Sequence, residues 1–301
     1  MEPFHMPAEL YRRQLESLVK MALAEDIGAG DLTTETLHLA MRRASSQLVA
    51  KSPGVLAGAD AFAMTFCELD RNARVEWAIR EGRPFRRGAT VATVRAHPHA
   101  LLSGERTAIN FVAHLSGIAT TTRRLAEKIG ARRTRLLDTR KTTPAWRFLE
   151  KRAASLGGAV NHRFGLFDAL MIKSNHVDAV GDFAETVRRA MAGPGSCRLI
   201  CEVRTMDEVQ TALSLGVRWL LLDHFTLPRL RRAVAVVRQF EREKKLHGDS
   251  KVIVEVSGNV TERGIPAIAR CGVDFISVGG ITHSAPACDF SLRWGGYGRG
   301  R

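Results

Sequence analysis

The spacing of hydrophobic residues changes several times along the chain. Leucine and valine recur at helical intervals over residues 9–24, and the run stops at a glycine-containing turn that ends in Asp31, which predicts a helix followed by a turn capped by that aspartate. Residues 46–94 alternate over short stretches, with turns at Pro53-Gly54 and Gly82-Arg83-Pro84, and predict a small β-rich layer. Helical spacing returns over residues 100–130.

From residue 134 onward, short β-branched or leucine-rich runs alternate with helical stretches. The predicted strands cover residues 134–138, 169–173, 198–203, 219–223, 252–256 and 275–278. The predicted helices cover residues 144–156, 181–192, 206–215, 227–245 and 262–271. Strands that alternate with helices predict a parallel sheet, which is either doubly wound or curled into a barrel.

Polar or small residues follow each of these six predicted strands. The strand ends read Asp138-Thr139-Arg140-Lys141, Lys173-Ser174-Asn175-His176, Glu202-Val203-Arg204, Asp223-His224, Glu255-Val256-Ser257-Gly258-Asn259 and Gly279-Gly280-Ile281-Thr282-His283. A doubly wound sheet gathers its functional groups at one switch point, whereas a barrel collects them from many strand ends. The pattern therefore favours an incomplete α/β barrel of about six strands.

Positive charge dominates the candidate site. The cations are Arg140, Lys141, His162, Arg163 and Lys173. They would bind carboxylates or phosphates, and arginine can hold a planar carboxylate by two parallel hydrogen bonds. Surface salt bridging is the alternative, and it is disfavoured for the three residues at strand ends. For the His162-Arg163 pair, which lies in a connection, position does not discriminate.

The acids Glu202 and Asp223 each end a predicted strand. They could engage a metal ion, sugar hydroxyls or a developing cation, or they could pair with nearby lysines, and the sequence leaves these alternatives open. Small residues follow the last two strands, where barrels often bind phosphate through backbone N–H groups. Simple turn geometry is the alternative for those glycines.

The composition is strongly basic, with 45 Lys and Arg against 31 Asp and Glu and a formal net charge of +14. Such a balance suits nucleic acid, an anionic membrane or anionic metabolites. Most of the excess is arginine scattered over predicted helices, which favours a solvated basic surface, and two Tyr provide little for a nucleic-acid stacking platform. We expect no nucleic-acid or membrane partner, and keep a basic nucleic-acid-binding protein as the non-enzyme alternative.

Five Cys, at positions 67, 197, 201, 271 and 288, form neither a CxxC pair nor the paired spacing of a zinc site. Their odd number and the lack of an apolar run near Met1 predict a reducing compartment, the cytoplasm.

The order of the polar motifs closely resembles that of the quinolinate phosphoribosyltransferases, also called carboxylating nicotinate-nucleotide pyrophosphorylases. The likeness covers nearly the whole chain. Its motifs are Glu25–Gly28, Gly30–Thr34, Glu105–Thr107 with Asn110, Thr139–Pro144, Asn161–Leu166, Ile172-Lys173 with Asn175-His176, and Phe275–Gly279 with Thr282–Ser284.

The resemblance implies transfer of phosphoribose from phosphoribosyl pyrophosphate to the ring nitrogen of quinolinate, followed by decarboxylation to nicotinate mononucleotide, without an organic cofactor. It assigns quinolinate binding to Arg106, Arg140, His162, Arg163 and Lys173. Lys141 is assigned to the pyrophosphate or the substrate as a catalytic residue, and the acids Glu202 and Asp223 to the ribose and a Mg²⁺ ion. The 5′-phosphate is assigned to Ser257, Gly258, Asn259, Gly279 and Gly280.

The family's architecture implies an N-terminal open-faced α/β sandwich over residues 1–115 and a barrel over 116–284, with the tail, 285–301, packing back on the sandwich. Members form homodimers or multiples of them, and Arg106 is expected to complete the partner's site. The alternative within enzymes is a related barrel phosphoribosyltransferase acting on nicotinate or another acidic heterocycle. Arg163 and Lys173 argue against it, because nicotinate has only one carboxylate.

Three positions depart from the family pattern. Ile200 stands where a further acid is common, His224 stands where asparagine is common, and Ala145-Trp146 stands where glycine and leucine are usual. These departures bear on substrate affinity and pH dependence more than on the class of reaction.

Overall fold

The computed structural model describes residues 6–40, 42–193 and 198–297. Within these ranges the helices are α1 (Ala8–Ile27), α2 (Leu32–Thr36), α3 (Ala59–Leu69), α4 (Pro98–Ser103), α5 (Glu105–Ile129), α6 (Arg147–Gly157), α7 (Ser174–Val180), α8 (Phe183–Met191), α9 (Met206–Ser214), α10 (Leu227–Glu243), α11 (Ile265–Ala269) and α12 (Gly280–His283), with a short 3-10 helix at Gly248–Ser250. The strands are β1 (Ala44–Ala50), β2 (Gly54–Val55), β3 (Arg74–Trp77), β4 (Pro84–Phe85), β5 (Thr90–Ala96), β6 (Arg135–Leu137), β7 (Leu170–Ile172), β8 (Leu199–Val203), β9 (Trp219–Asp223), β10 (Ile253–Ser257), β11 (Phe275–Ser277) and β12 (Phe290–Tyr297).

Backbone contacts group the described chain into two compact units. The N-terminal unit holds residues 6–40, 42–123, 142–158 and 281–297, and the barrel unit holds residues 124–141, 159–193 and 198–280. Helix α6 belongs with the N-terminal unit because it packs closely on α5. A Cβ at Gly157 would lie 2.5 Å from the carbonyl oxygen of Ala119. The domain bounds at 115/116 and 284 stay a prediction.

A four-stranded antiparallel sheet in the order β12-β1-β5-β3 forms the N-terminal unit. On one face, Leu48 and Val94 are fully buried against Phe62 and Phe66 of α3. Arg95, the neighbour of Val94 and therefore on the other face, is exposed. Helices thus cover one face of the sheet, which confirms the open-faced sandwich.

Strand β12 comes from the C-terminal tail. It pairs with the whole of β1, from Ala44 opposite Tyr297 to Ala50 opposite Phe290. Residues 298–301 of the tail lie outside the described residues.

Six parallel strands in the order β6-β11-β10-β9-β8-β7 form the barrel unit. Every predicted strand is present, with bounds within one residue of the prediction. Strands β6 and β7 lie at the two edges, and Val160 adds one parallel bridge to Leu137 of β6. The predicted incomplete barrel of six strands is confirmed.

Alternate residues of the strands form an apolar layer inside the barrel. Its buried members are Leu137, Ala169, Ile200, Trp219 and Leu221. Ile200 is 1% exposed within this layer, where an ionised carboxylate would be desolvated without a partner. An isoleucine at this position therefore suits this particular interior. Glu202 lies two residues after Ile200 on β8, and Asp223 lies two residues after Leu221 on β9.

Among the described helices, α2, α3, α7 and α12 were missed by the sequence analysis. Helix α3 interrupts the predicted β-rich layer, and its buried residues Ala61, Phe62, Thr65 and Phe66 have a helical period that short alternating runs on either side obscured. Helix α7 begins directly after β7, where the sequence analysis saw only a polar strand end, because none of its residues is buried to mark a helical face. The capped turn is confirmed, since the Asp31 carboxylate accepts the backbone N–H of Thr34 at 3.0 Å.

No described helix is both long and apolar enough to cross a membrane.

Candidate active site

Three of the predicted cations lie just beyond strands β6 and β7. Arg140 is half-buried, whereas Lys141 and Lys173 are exposed. The backbone N–H of Lys141 donates to the Thr139 hydroxyl at 3.0 Å, and the backbone N–H of Lys173 donates to Nδ1 of His176 at 3.0 Å. Local side chains thus fix the backbone of both lysines and leave their long side chains exposed beyond the strand ends.

His162 and Arg163 lie in the connection after Val160, and the structure buries both, at 7% and 8% exposure. The backbone N–H of His162 donates to the buried Asp138 carboxylate at 2.7 Å, and the Arg163 guanidinium donates to the carbonyl of Ala169 at 2.8 Å. Position along the sequence left this pair undecided. Its burial beside the end of β6 places it with the strand-end groups.

The surroundings of the Arg163 guanidinium disfavour its charged form. Burial lowers its pKa from the ordinary value and the charge of Arg140 lowers it further, while Asp168 opposes the shift. The Nε of Arg163 is buried and has no hydrogen-bond acceptor among the described residues. A buried donor without an acceptor costs free energy, so this position favours an anion that supplies one.

The acids lie at the ends of adjacent strands, Glu202 within β8 and Asp223 as the last residue of β9. Glu202 and Asp223 are both half-buried, and the Glu202 carboxylate accepts the backbone N–H of Ser174 at 3.2 Å. Asp223 lies 3.8 Å from Nε2 of His224. Because neighbouring parallel strands end at the same edge of the sheet, both carboxylates lie beyond the apolar layer on the same side as the lysines.

Magnesium fits this pair in a limited way. Carboxylate oxygens are suitable ligands, and Mg²⁺ in phosphate-transfer sites usually takes only one or two of them together with water and substrate oxygens. Among the described residues, no group of three or more His, Cys, Asp or Glu side chains could hold a metal ion. Glu202 and Asp223 could therefore hold Mg²⁺ with a substrate, rather than as a closed protein cage.

The connection after β10 is sterically tight. Gly258 and Asn259 are both left-handed, with φ of 91° and 48°. A Cβ at Gly258 would lie 2.8 Å from Cδ2 of His224, and the His224 backbone N–H donates to the carbonyl of Ser257 at 3.1 Å. The glycine at 258 thus meets a steric demand as well as a conformational one, and the ring of His224 lies against it at this strand end.

The other predicted glycines, Gly279 and Gly280, are half-buried and follow β11. No heavy atom lies within 4 Å of a Cβ built at Gly280. A side chain at residue 280 would therefore meet open space, whereas one at residue 258 would meet His224.

Arg106 lies in the N-terminal unit, in the first turn of α5, and is exposed. Burial raises the pKa of the neighbouring Glu105, and the charge of Arg106 opposes that shift.

The segment that follows Lys141 is anchored inside the N-terminal unit. The fully buried Glu150 accepts the backbone N–H of Thr143 at 3.2 Å and contacts Nε2 of His114 at 2.8 Å. Trp146, a departure from the family pattern, stacks on Phe111 with ring centroids 4.8 Å apart.

The sequence analysis placed Glu255 at the end of a predicted strand but assigned it no role. It lies inside the barrel and is fully buried, where it accepts the indole N–H of Trp219 at 2.8 Å and the hydroxyl of Ser277, and its carboxylate lies 3.2 Å from Nε2 of His162. The available signal was an acid within an otherwise apolar strand, two residues before Ser257.

The charges of Arg140 and Arg163 oppose each other, and a bound anion would relieve that repulsion. Two carboxylates, Glu202 and Asp223, lie at the carboxyl ends of parallel strands of the same sheet. Fold and site thus define an α/β-barrel enzyme that acts on a small, multiply charged anion. The chain belongs to the quinolinate phosphoribosyl transferase family, since residues 31–116 match that family's N-terminal domain and residues 118–293 match its C-terminal domain.

Individual relatives agree over most of their length. The chain is 40% identical over 272 residues to a probable carboxylating nicotinate-nucleotide pyrophosphorylase of Synechocystis sp., which covers 90% of this chain and 89% of the relative. A protein of the same description from Bacillus subtilis is 34% identical over 280 residues, 93% of each chain. The solved nicotinate-nucleotide pyrophosphorylase of Francisella tularensis superimposes with a TM-score of 0.88 at 34% identity, over 98% of this chain and 99% of the other.

Proposed function

We infer that this chain transfers phosphoribose from phosphoribosyl pyrophosphate to the ring nitrogen of quinolinate and decarboxylates the product to nicotinate mononucleotide. The family membership supports the reaction. The observation that carries it in the structure is the buried Arg163 guanidinium, whose Nε has no acceptor among the described residues and whose charge is opposed by that of Arg140. A planar dicarboxylate would supply acceptors to both groups.

Arg140, Arg163 and Lys173 would hold the two carboxylates of quinolinate. Arginine offers a planar fork that matches a carboxylate, and an exposed lysine offers a flexible point charge. Held by three cations, the ring is oriented with its nitrogen toward the sugar, which replaces a bimolecular encounter by a positioned one.

The acids act on the sugar. As the bond from ribose C1′ to the pyrophosphate oxygen breaks and the bond from C1′ to the ring nitrogen forms, positive charge develops on the ribose. Glu202 and Asp223 lie at neighbouring strand ends and would stabilise that charge. Lys141, exposed just beyond β6, would stabilise the departing pyrophosphate.

Glu202 and Asp223 would hold a bound Mg²⁺, which would neutralise negative charge on the pyrophosphate. The residues of the 5′-phosphate site would be Ser257, Gly258, Asn259, Gly279 and Gly280, through their backbone N–H groups and the serine hydroxyl.

Decarboxylation follows from the first step. Once the ring nitrogen carries the ribose, it is cationic and stabilises the electron pair that the breaking carbon–carboxylate bond leaves on the adjacent ring carbon. Carbon dioxide leaves, and a proton from water replaces it. The residues that hold the carboxylates orient the group that is lost, so no organic cofactor is needed.

We also propose a homodimer in which Arg106 completes the partner's site. Arg106 is exposed, and the exposed Leu102 lies four residues before it along the chain. Leu102 of α4 is 39% exposed and Leu32 of α2 is 82% exposed, and a hydrogen bond of 2.8 Å from Ser103 to Asp31 ties these two helices together. Exposed leucines on these two helices, together with an exposed arginine, suit a subunit interface.

A cytoplasmic location remains a proposal. It is supported by cysteine usage, since Cys67, Cys201, Cys271 and Cys288 are all free thiols and Cys197 lies outside the described residues.

The direct test is turnover. Purified protein is incubated with phosphoribosyl pyrophosphate, Mg²⁺ and either quinolinate or nicotinate, and nicotinate mononucleotide and carbon dioxide are followed. We expect product from quinolinate only. Arg140→Ala and Lys173→Ala should lose turnover at low quinolinate, whereas Lys128→Ala, an exposed lysine of α5 beside Glu262, is the matched control. Activity with nicotinate alone, or full turnover by both site variants, contradicts the proposal.

A further inference from the structure

The imidazole of His162 has both of its nitrogens engaged inside the protein. Its Nδ1 accepts the backbone N–H of Arg163 at 2.8 Å. A backbone N–H can only donate, so Nδ1 must be the unprotonated nitrogen. The ring proton therefore lies on Nε2, which is the nitrogen that faces Glu255 at 3.2 Å.

Glu255 is an acceptor for three donors. The indole N–H of Trp219 reaches one carboxylate oxygen at 2.8 Å, the Ser277 hydroxyl donates to the other, and Nε2 of His162 lies 3.3 Å and 3.2 Å from the two. The carboxylate is fully buried, so these donors are its whole polar environment among the described residues. An ionised carboxylate has enough lone pairs for all three, and no neutral side chain of the same shape has.

We propose that Glu255 is a positioning residue for quinolinate binding, which acts by holding His162 as the neutral Nε2–H tautomer so that Nδ1 fixes the backbone of Arg163. The Arg163 guanidinium, which also donates to the Ala169 carbonyl at 2.8 Å, then presents the charge to the substrate. His162 itself supports that arginine from within the barrel. This inference rests on the proposed function for its consequence, but its first step is a property of the protein alone.

Glu255→Gln tests the chain of contacts. Glutamine keeps the shape of the side chain, but it has one acceptor oxygen and an amide group that donates. The three donors around residue 255 would then share a single acceptor oxygen. The repulsion between the new amide donor at residue 255 and the Nε2–H of His162 is relieved when the His162 proton moves to Nδ1. The Nδ1–H then faces the backbone N–H of Arg163, and that hydrogen bond is lost. Trp219→Phe removes the indole donor on the oxygen that the amide nitrogen would replace, so the double variant should recover part of the loss.

The decisive measurement is the tautomer of His162 by NMR of protein labelled with ¹⁵N-histidine, assigned with a His162→Asn variant. We expect Nε2–H in the wild-type protein and a shift toward Nδ1–H in Glu255→Gln. Kinetics of the same proteins should show KM for quinolinate raised about tenfold in Glu255→Gln, with KM for phosphoribosyl pyrophosphate changed less than about twofold. Trp219→Phe added to Glu255→Gln should lower KM for quinolinate again.

Glu241→Gln is the matched control. Glu241 is also buried, accepts the backbone N–H of Val252 at 2.8 Å and pairs with Arg238, but it lies on α10 outside the barrel interior. It should lose stability without a change in the His162 tautomer or in KM for quinolinate.

Two results overturn the proposal: a wild-type His162 that is Nδ1–H or doubly protonated, or a folded Glu255→Gln protein with unchanged KM for quinolinate. If Glu255→Gln does not fold, the wild-type tautomer and the Ser277→Ala variant, which removes one donor only, still decide. If the wild-type protein does not turn over quinolinate, the proposed function fails while the tautomer measurement stands on its own.

Discussion

The imidazole of His224 lies so close to Gly258 that a Cβ at residue 258 would be 2.8 Å from His224 Cδ2 and 2.9 Å from the His224 backbone nitrogen. One of the two atoms belongs to the backbone, which cannot move as a side-chain end can. The connection after β10 therefore depends on a glycine for two separate reasons, its left-handed φ of 91° and the lack of space.

Gly258→Ala should destabilise the fold and weaken binding of phosphoribosyl pyrophosphate. We expect a loss of about 2–4 kcal/mol in the free energy of unfolding, from overpacking together with left-handed strain. KM for phosphoribosyl pyrophosphate should rise at least about tenfold, equivalent to roughly 1.4 kcal/mol. Urea unfolding and steady-state kinetics measure the two effects.

Gly181→Ala separates strain from overpacking. Gly181 has a φ of 90°, but no heavy atom lies within 4 Å of its Cβ position. Gly181→Ala should lower the free energy of unfolding only by the cost of left-handed strain, about 1–2 kcal/mol, and should leave the kinetics unchanged. Equal losses of stability in the two variants would contradict the steric argument.

Ala145 carries backbone strain that glycine would relieve. Its φ is 66°, in the left-handed region that alanine adopts at a cost, and it lies in the segment after Lys141. Ala145→Gly should stabilise the protein by about 0.5–1 kcal/mol, because the relief of strain exceeds the added entropy of the unfolded chain. The exposed Ala179 of helix α7 is the control, since Ala179→Gly should destabilise by about 1 kcal/mol. A loss of stability in both variants would show that Ala145 is unstrained.

We expect the charge of Arg163 to favour quinolinate binding without stabilising the fold. Its guanidinium is buried beside another cation, and burial lowers its pKa, so removal of the charge should not weaken the fold. Arg163→Met should leave the free energy of unfolding unchanged or raise it by about 1–2 kcal/mol. Turnover at low quinolinate should nevertheless fall by at least about a hundredfold, the equivalent of roughly 2.8 kcal/mol.

Arg152→Met is the comparison for that effect. Arg152 donates to Glu81 at 2.6 Å, and although desolvation lowers the pKa of its guanidinium, the hydrogen bond and charge of Glu81 raise it overall. The charge is therefore favoured by the fold, and its removal should destabilise the protein without a direct effect on KM for quinolinate. Destabilisation by Arg163→Met of the same size as by Arg152→Met would contradict the description of Arg163 as a buried arginine whose charge the fold disfavours.

Asp31 should contribute stability that depends on pH. Hydrogen bonds from the hydroxyl and backbone N–H of Thr34, and from the Ser103 hydroxyl, lower the pKa of this carboxyl. A lowered pKa in the folded state means that the stabilisation is present above the ordinary pKa of about 4 and is lost as the pH falls through the folded value. Urea unfolding between pH 6 and pH 3 should therefore show Asp31→Asn less stable than wild type at pH 6, with the difference narrowing toward pH 3. A difference that widens in acid would reverse the sign of the effect.

Arg106 offers a test of the proposed dimer. If each site takes Arg106 from the partner and Lys173 from its own barrel, the variants Arg106→Ala and Lys173→Ala are each inactive but complement one another after subunit exchange. A random equal mixture should recover about a quarter of wild-type turnover, because half of the dimers carry one intact site. Mixing that recovers nothing, with mixed dimers demonstrated by mass spectrometry, would place both residues in the same subunit's site or remove Arg106 from it.

The sequence was most informative in the barrel. All six strands were predicted within one residue, because apolar runs bounded by polar strand ends and glycines are local signals that parallel packing does not override. Helix α3 was hidden because a short helix between short strands shows only about three turns of periodicity. Strand β12 could not be paired from the sequence, since the paired residues of β1 and β12 are 240 or more positions apart along the chain, from 290 − 50 = 240 for Ala50 and Phe290.

The sequence by itself determined the class of fold, the family and the set of charged residues that follow the strands, because these depend on local pattern and on the order of motifs. Only the tertiary structure decided what surrounds each group. It buried Arg163 next to Arg140 and enclosed Glu255 with Trp219, Ser277 and His162. Burial and hydrogen-bond partners come from segments far apart in the chain, and they determine whether a given arginine or glutamate is a solvated surface charge or part of the binding site.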